Sequence, residues 1–164
     1  MMEPPQPHPP HVPPPLIRPA RETDVAHLLA MIRELADYER LLDAVVATEA
    51  GLRQALFGEP RSAEALLAEF DGEPAGFALY FQTFSTFVGR PGLWLEDLFV
   101  RPAFRRHGIG RALFDRLAAI AVERGYGRME WTVLDWNASA IDFYRRLGAV
   151  PLSDWTTFRL VVNG

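Results

Sequence analysis

Residues 93–100, LWLEDLFV, form an apolar run broken only by two acids, and Pro102 stops it from continuing as strand or helix. Further on, Leu113, Leu117, Ile120 and Ala121 recur at three- and four-residue spacing until Gly125, the signature of a helix and its stop. The spacing therefore predicts a strand over Leu93–Val100 and a helix after it. Everything else in the chain has to accommodate the turn that joins them.

That turn reads Arg105-Arg106-His107-Gly108-Ile109-Gly110. Two residues without a Cβ at the start of a helix let backbone N–H groups approach a ligand, and helix N-termini favour anions. Between Arg101 and Arg116 there are five arginines against Asp115 alone, in a chain of net charge −4. Local positive charge opposing the global sign suits a polyanionic ligand. A dinucleotide fingerprint is excluded, because Leu113 stands where a third small residue is needed and Gly108 comes well after Val100. A Walker loop is excluded by Gly110-Arg111-Ala112 in place of Gly-Lys-Ser/Thr.

Arg105-x-x-Gly108-x-Gly110 resembles the Gln/Arg-x-x-Gly-x-Gly/Ala signature of the GNAT family of N-acetyltransferases. The resemblance extends to Leu95-Glu96-Asp97, Phe84-Ser85-Thr86, Leu134-Asp135-Trp136-Asn137 and Asp142-Phe143-Tyr144, which are similar to the diamine and thialysine acetyltransferase branch, and it covers residues 16–160. It implies a mixed α/β fold, with a mostly antiparallel sheet splayed at one central parallel strand pair and flanked by helices. It implies acetyl-CoA as cosubstrate, a homodimer, and transfer of acetyl to the primary amine of a small molecule by direct attack.

The resemblance also distributes roles. The pyrophosphate would lie against Arg105, Arg106, His107, Gly108, Ile109, Gly110 and Arg111. Backbone groups of Leu98, Phe99 and Val100 would pair with the pantetheine amides, beside Asn137 and Tyr144. Tyr144 would be the general acid, although Phe143-Tyr144 on an amphipathic helix reads by itself as core. Tyr38 and Glu39 match positions lining the amine pocket, and Ser85 stands where polyamine acetylators carry an acid, which favours a short amine over spermine. Glu96 and Asp97 are neighbours in a strand, so regular alternation sends them to opposite faces. Glu96 is the candidate base or water-orienting group, and either carboxylate can hold a cationic substrate.

With 164 residues and 49% hydrophobic content, the chain suits one domain over 16–164. Residues 1–15, MMEPPQPHPPHVPPP, are set apart as a Pro-rich tail expected to be disordered or polyproline-like. No cysteine is present, and the four histidines, His8 and His11 among them, lack metal-ligand spacing, so no metal is expected. No apolar run is long enough to span a membrane, and no basic stripe suits nucleic acid; a soluble cytoplasmic protein is expected.

In chain order the patterns predict a strand at Leu16–Arg18, a helix carrying Val25, Leu28, Leu29, Ile32, Leu35 and Ala36, and a helix capped by Thr48 and ended at Gly58. Strands at Ala65–Phe70 and Gly76–Thr83 flank Asp71-Gly72, a two-residue hairpin signal that Glu73-Pro74 could lengthen. A strand at Met129–Val133, a helix at Ala138–Leu147 and a strand at Thr157–Val162 complete the set. Two other readings stay open: a CoA-sensing module without turnover, and an acetyltransferase of protein N-termini with an open groove.

Overall fold

The structure is a computed structural model describing residues 12–162. The expectation for the Pro-rich tail falls mostly on residues outside that range; residues 12–15 carry no regular secondary structure.

Five strands form one sheet in sequence order: β1 (Leu16–Pro19), β2 (Glu64–Phe70), β3 (Glu73–Ser85), β4 (Arg90–Val100) and β5 (Met129–Trp131). The first four pair antiparallel, and β4 pairs parallel with β5. A parallel pair requires a long crossover, here supplied by helix α3 (Ile109–Glu123). Helices α1 (Val25–Tyr38) and α2 (Glu49–Phe57) precede β2. This is the mixed, mostly antiparallel sheet with flanking helices implied by the sequence.

Alternation in β2 shows how the sheet buries both faces. Leu66 and Ala68 join the core under α3, with Ile109, Leu113 and Leu117. Ala65 and Leu67 join the opposite core, with Leu28 and Met31 of α1 and Leu56 of α2. The hairpin between β2 and β3 is a two-residue turn in which Asp71 and Gly72 both have positive φ (53° and 79°), the type I′ pattern matching the twist of the strands. Pro74 does not lengthen it; the ladder absorbs the proline through an irregularity between Ala68 and Glu69. The Thr48 side chain accepts the Gly51 N–H at 3.1 Å, as its N-cap position demands.

Residues 132–162 pack as a separate unit. Its helix α4 (Ala138–Arg146) is capped by Asn137, whose side chain accepts the Ala140 N–H at 3.2 Å. The strand expected over Thr157–Val162 does not form: among the described residues no ladder pairs with it, and 157–162 carry no regular secondary structure. Strand-type residues form a strand only where a neighbouring backbone offers hydrogen bonds. The strand expected to reach Val133 likewise stops at Trp131, where its pairing with β4 ends.

Two ion pairs of Arg18 tie the first strand to β2 and to the start of α1. Arg18 donates to both oxygens of buried Asp24 (2.7 and 3.0 Å) and to Glu69 (Nε to Oε1, 2.8 Å), while Asp24 also accepts the Arg21 N–H at 2.7 Å. The Arg18 guanidinium is the main reason the Asp24 carboxyl is held below its ordinary pKa. A depressed carboxyl contributes stability that is present above its unfolded pKa and lost as pH falls through the folded value. Asp24→Ala should therefore cost on the order of 3 kcal/mol at pH 7 in urea unfolding, because it takes the bidentate partner from a mostly buried guanidinium and leaves it Glu69 alone. The gap to wild type should narrow as pH drops below the usual carboxylate range.

Candidate active site

β4 is paired along one edge with β3 as far as Gly76↔Val100. Along its other edge, pairing with β5 covers only Leu93↔Met129, Trp94↔Glu130 and Leu95↔Trp131. From Glu96 to Val100 the strand runs on past the end of the β5 ladder. Backbone donors and acceptors must be paired when buried, so a released strand edge invites amide groups from elsewhere.

The register at this point overturns one expectation. Leu79 pairs with Asp97 and Tyr80 with Leu95, so Glu96 is the extra residue of a β-bulge. Leu93 and Leu95 belong to the core under α3; after the bulge Leu98 and Val100 pack on that side, while Phe99 joins the core under α1. The inserted residue shifts the alternation by one. Glu96 and Asp97 therefore share a side instead of pointing to opposite faces, and the Trp94 indole N–H, two residues away, donates to Glu96 Oε2 at 2.9 Å.

A third carboxylate joins them. Glu39 caps the C-terminus of α1, where Arg40 turns into positive φ (60°) and ends the helix. Burial raises the Glu39 carboxyl above its ordinary value. Asp97 is pushed up to about 6, first by burial and then by the negative charges of Glu96 and Glu39. The charges of Glu96 and Glu39 thus disfavour ionisation of Asp97, and a carboxyl held that way suits a neighbouring cation.

Ser85 is placed elsewhere. It is buried, and its hydroxyl accepts the Val88 N–H at 3.2 Å inside the β3–β4 turn. It also lies six residues along β3 from Leu79, the partner of Asp97, a separation of about 20 Å at the rise of a strand. Its side chain is part of a turn, not of the acidic cluster.

At the anion turn, Gly108 is the N-cap of α3 in the left-handed conformation (φ 74°), and no side chain caps this helix end. A Cβ at Gly108 would meet nothing within 4 Å, so the glycine is there for its φ and the space over it is open. No acidic residue lies in the first turn of α3, which leaves its N–H groups suited to an anion such as a phosphate. The turn's side chains are held individually. His107 stacks on Phe70 (centroids 4.6 Å apart), with Nδ1 donating to the Phe104 carbonyl at 3.1 Å. Arg111 pairs with Asp115 (2.8 Å), Arg106 is exposed with φ 67°, and Arg105 reaches back to the Val100 carbonyl at 3.1 Å. In the other unit, Tyr144 lies on α4 with its ring against Phe143 (5.3 Å), and Asn137 is engaged as the N-cap. Among the described residues no cluster of three or more metal-ligating side chains occurs.

The sequence profile of the acetyltransferase (GNAT) family matches residues 28–149. A thialysine N-epsilon-acetyltransferase from Sus scrofa is 41% identical over 155 residues, covering 88% of this chain and 91% of that protein. An L-ornithine N5-acetyltransferase from Arabidopsis thaliana is 32% identical, covering 88% of this chain and 83% of that protein. Among solved structures, an integron cassette protein from the mobile metagenome of V. cholerae superimposes with a TM-score of 0.75 at 27% identity, covering 91% and 93% of the two chains.

The raised Asp97 carboxyl has a consequence for stability. Between its unfolded pKa near ~3.9 and its folded value of about 6, the folded chain holds a proton that the unfolded chain releases. Stability is thus fully present below the lower value and falls as pH rises through the upper one. Asp97→Asn removes this cost, so the variant should melt about 3 °C or more above wild type at pH 8, with the difference vanishing near pH 4. Equal melting temperatures at both pH values would show that Asp97 is not strained by ionisation.

Proposed function

The chain belongs to the acetyltransferase (GNAT) family and is an acetyl-CoA-dependent N-acetyltransferase, and we propose that its acceptor is a small cationic amine, a thialysine-like amino acid or a short diamine. The observation that carries the reading is that the bulge brings Glu96 and Asp97 to one side of β4, where burial and the charges of Glu96 and Glu39 push Asp97 up to about 6. An ammonium among these acids relieves their repulsion, which is a direct physical reason to bind one. The names of the relatives point the same way, since both act on an amino-acid side-chain amine.

In this proposal acetyl-CoA supplies an acetyl group activated as a thioester, and the chain's residues do the rest. The turn from Arg105 to Arg111 holds the phosphates, and the released edge at Leu98, Phe99 and Val100 pairs with the pantetheine amides. A backbone N–H of Leu98 or Phe99 polarises the thioester oxygen, a donor that needs no reorganisation. An alkyl ammonium with a pKa near ~10.4 must lose a proton before it attacks. Glu96, steadied by Trp94, orients the water that carries that proton away, while Asp97 and Glu39 hold the amine beside Tyr38. The nitrogen attacks the carbonyl carbon and gives up its surplus proton by the same water, the C–S bond breaks, and Tyr144 delivers a proton to the departing thiolate, with Asn137 beside the pantetheine arm.

The family match spans both packing units, which supports reading 16–164 as one catalytic domain. A homodimer belongs to the same proposal. Trp155, Phe158, Leu160 and Val162 are 74–90% exposed on a run of strand-forming residues that joins no ladder among the described residues, and a second copy would supply a partner. No helix among the described residues is long and apolar enough to cross a membrane, and a cytoplasmic setting completes the reading.

Two outcomes test it. Tyr144→Phe should lower kcat by about 10- to 10⁴-fold while acetyl-CoA affinity, measured by calorimetry, is largely kept; unchanged turnover would exclude Tyr144 as the acid. Thialysine should show a higher kcat/KM than spermine at matched salt, because the acids cluster at one end and Ser85 is committed to a turn. A preference for spermine would sink the short-amine pocket.

A further inference from the structure

Arg105 opens the phosphate turn, but its side chain runs back along the protein. Its Nε donates to the Val100 carbonyl at 3.1 Å, and its Cζ stands 5.5 Å from the centre of the Tyr38 ring. Four residues earlier, Arg101 forks onto Glu34 (2.8, 2.9 and 3.2 Å) and donates to the Pro74 carbonyl at 2.9 Å. Glu34 and Tyr38 are themselves four residues apart, hence on one face of α1. Two arginines spaced by four thus grip two α1 residues spaced by four. The segment between β4 and the phosphate turn is laced to the last turn of α1 by two rungs, one ionic and one cation over ring.

The upper rung lies between two sites of opposite charge. On one side, Arg106 reverses the chain with positive φ and leads to Gly108 and the uncapped start of α3. On the other, Tyr38 is followed by Glu39, whose charge is felt at Asp97. We propose that Arg105 is a positioning residue that couples the two substrate sites, so that an anion held on the phosphate turn fixes the Tyr38-Glu39 end of α1 for the amine. This rests on the acidic cluster being the amine site. An anion on the turn restrains the backbone from Arg106 onward; restraining that backbone restrains Arg105; and the guanidinium then holds the Tyr38 ring beside Glu39. Arginine is needed because its planar group both donates to a carbonyl and stacks on a ring, which an ammonium does poorly.

Coupling of two binding events is reciprocal, which gives the test an internal check. Calorimetry with CoA, which carries no acetyl group to transfer, and thialysine measures the Kd of the amine with and without saturating CoA. In wild type, CoA should tighten thialysine about fivefold or more, and thialysine should tighten CoA by the same factor. Arg105→Gln, Arg105→Lys and Tyr38→Leu should each bring that ratio within about twofold of one, Tyr38→Phe should keep it, and Arg105→Gln with Tyr38→Leu should lose nothing further. A wild-type ratio of one, or an Arg105→Gln ratio equal to wild type in a folded variant, overturns the proposal. If thialysine binds the free protein too weakly to titrate, the ratio is read from CoA alone. Asp97→Asn separates the two claims: thialysine affinity that does not fall in this variant, with or without CoA, refutes the amine site itself.

Discussion

The backbone of β4 is asked to satisfy two different neighbours. One edge is committed to β3 along the length of the strand, and the other is held by β5 for three residues and then released at Leu95. Because buried N–H and C=O groups need partners, the stretch from Glu96 to Val100 is a template for an amide-bearing ligand that behaves like a missing strand. The two cores flanking β4 keep it in place beyond the end of the β5 ladder. Leu93 and Leu95 are nearly fully buried under α3, and Phe99 is buried under α1. The side chains carry the fold and leave the backbone to the ligand.

The bulge at Glu96 falls where the ladder to β5 ends. A regular strand would put Glu96 on the core side under α3 or Asp97 there, burying a charge without a partner. One inserted residue brings both acids to the same side and still returns Leu98 and Val100 to the α3 core. The cost is a carboxyl at Asp97 that resists ionisation, a strain that a cationic ligand relieves.

What the sequence made legible follows from how local each signal is. Helix α3 was readable because Leu113, Leu117, Ile120 and Ala121 obey one period between a glycine start and a glycine stop, and the structure buries all four. Asp71-Gly72 was readable because only a few residue types tolerate two successive positive φ values. The bulge was not, since a one-residue shift of register depends on what β3 presents opposite, and nothing in LWLEDLFV marks it except the acid pair itself. The turn role of Ser85 was not legible for a related reason: a serine's hydroxyl is as useful to a turn as to a substrate, and the sequence does not separate the two. The run after Thr157 has strand chemistry but joins no ladder among the described residues.

Charge is arranged along β4 in a way that net charge conceals. The chain carries −4 overall, yet the acids Glu39, Glu96 and Asp97 gather around the middle of the strand, and the basic residues Arg101, Arg105, Arg106 and Arg111 follow its end. All seventeen basic residues are arginine, so the chain has no lysine ε-amine to compete with an acceptor for acetyl groups. A cationic amine and a polyanionic cosubstrate are each drawn to one end of the same few residues. Attraction alone would let the two ligands pair with each other in solution, where water screens them over about 8–10 Å at physiological salt. On the protein, the Arg101–Glu34 and Arg105–Tyr38 rungs stand at the border between the two fields. On the proposed reading, a guanidinium there favours the phosphates on one side and leaves the acids on the other to the amine.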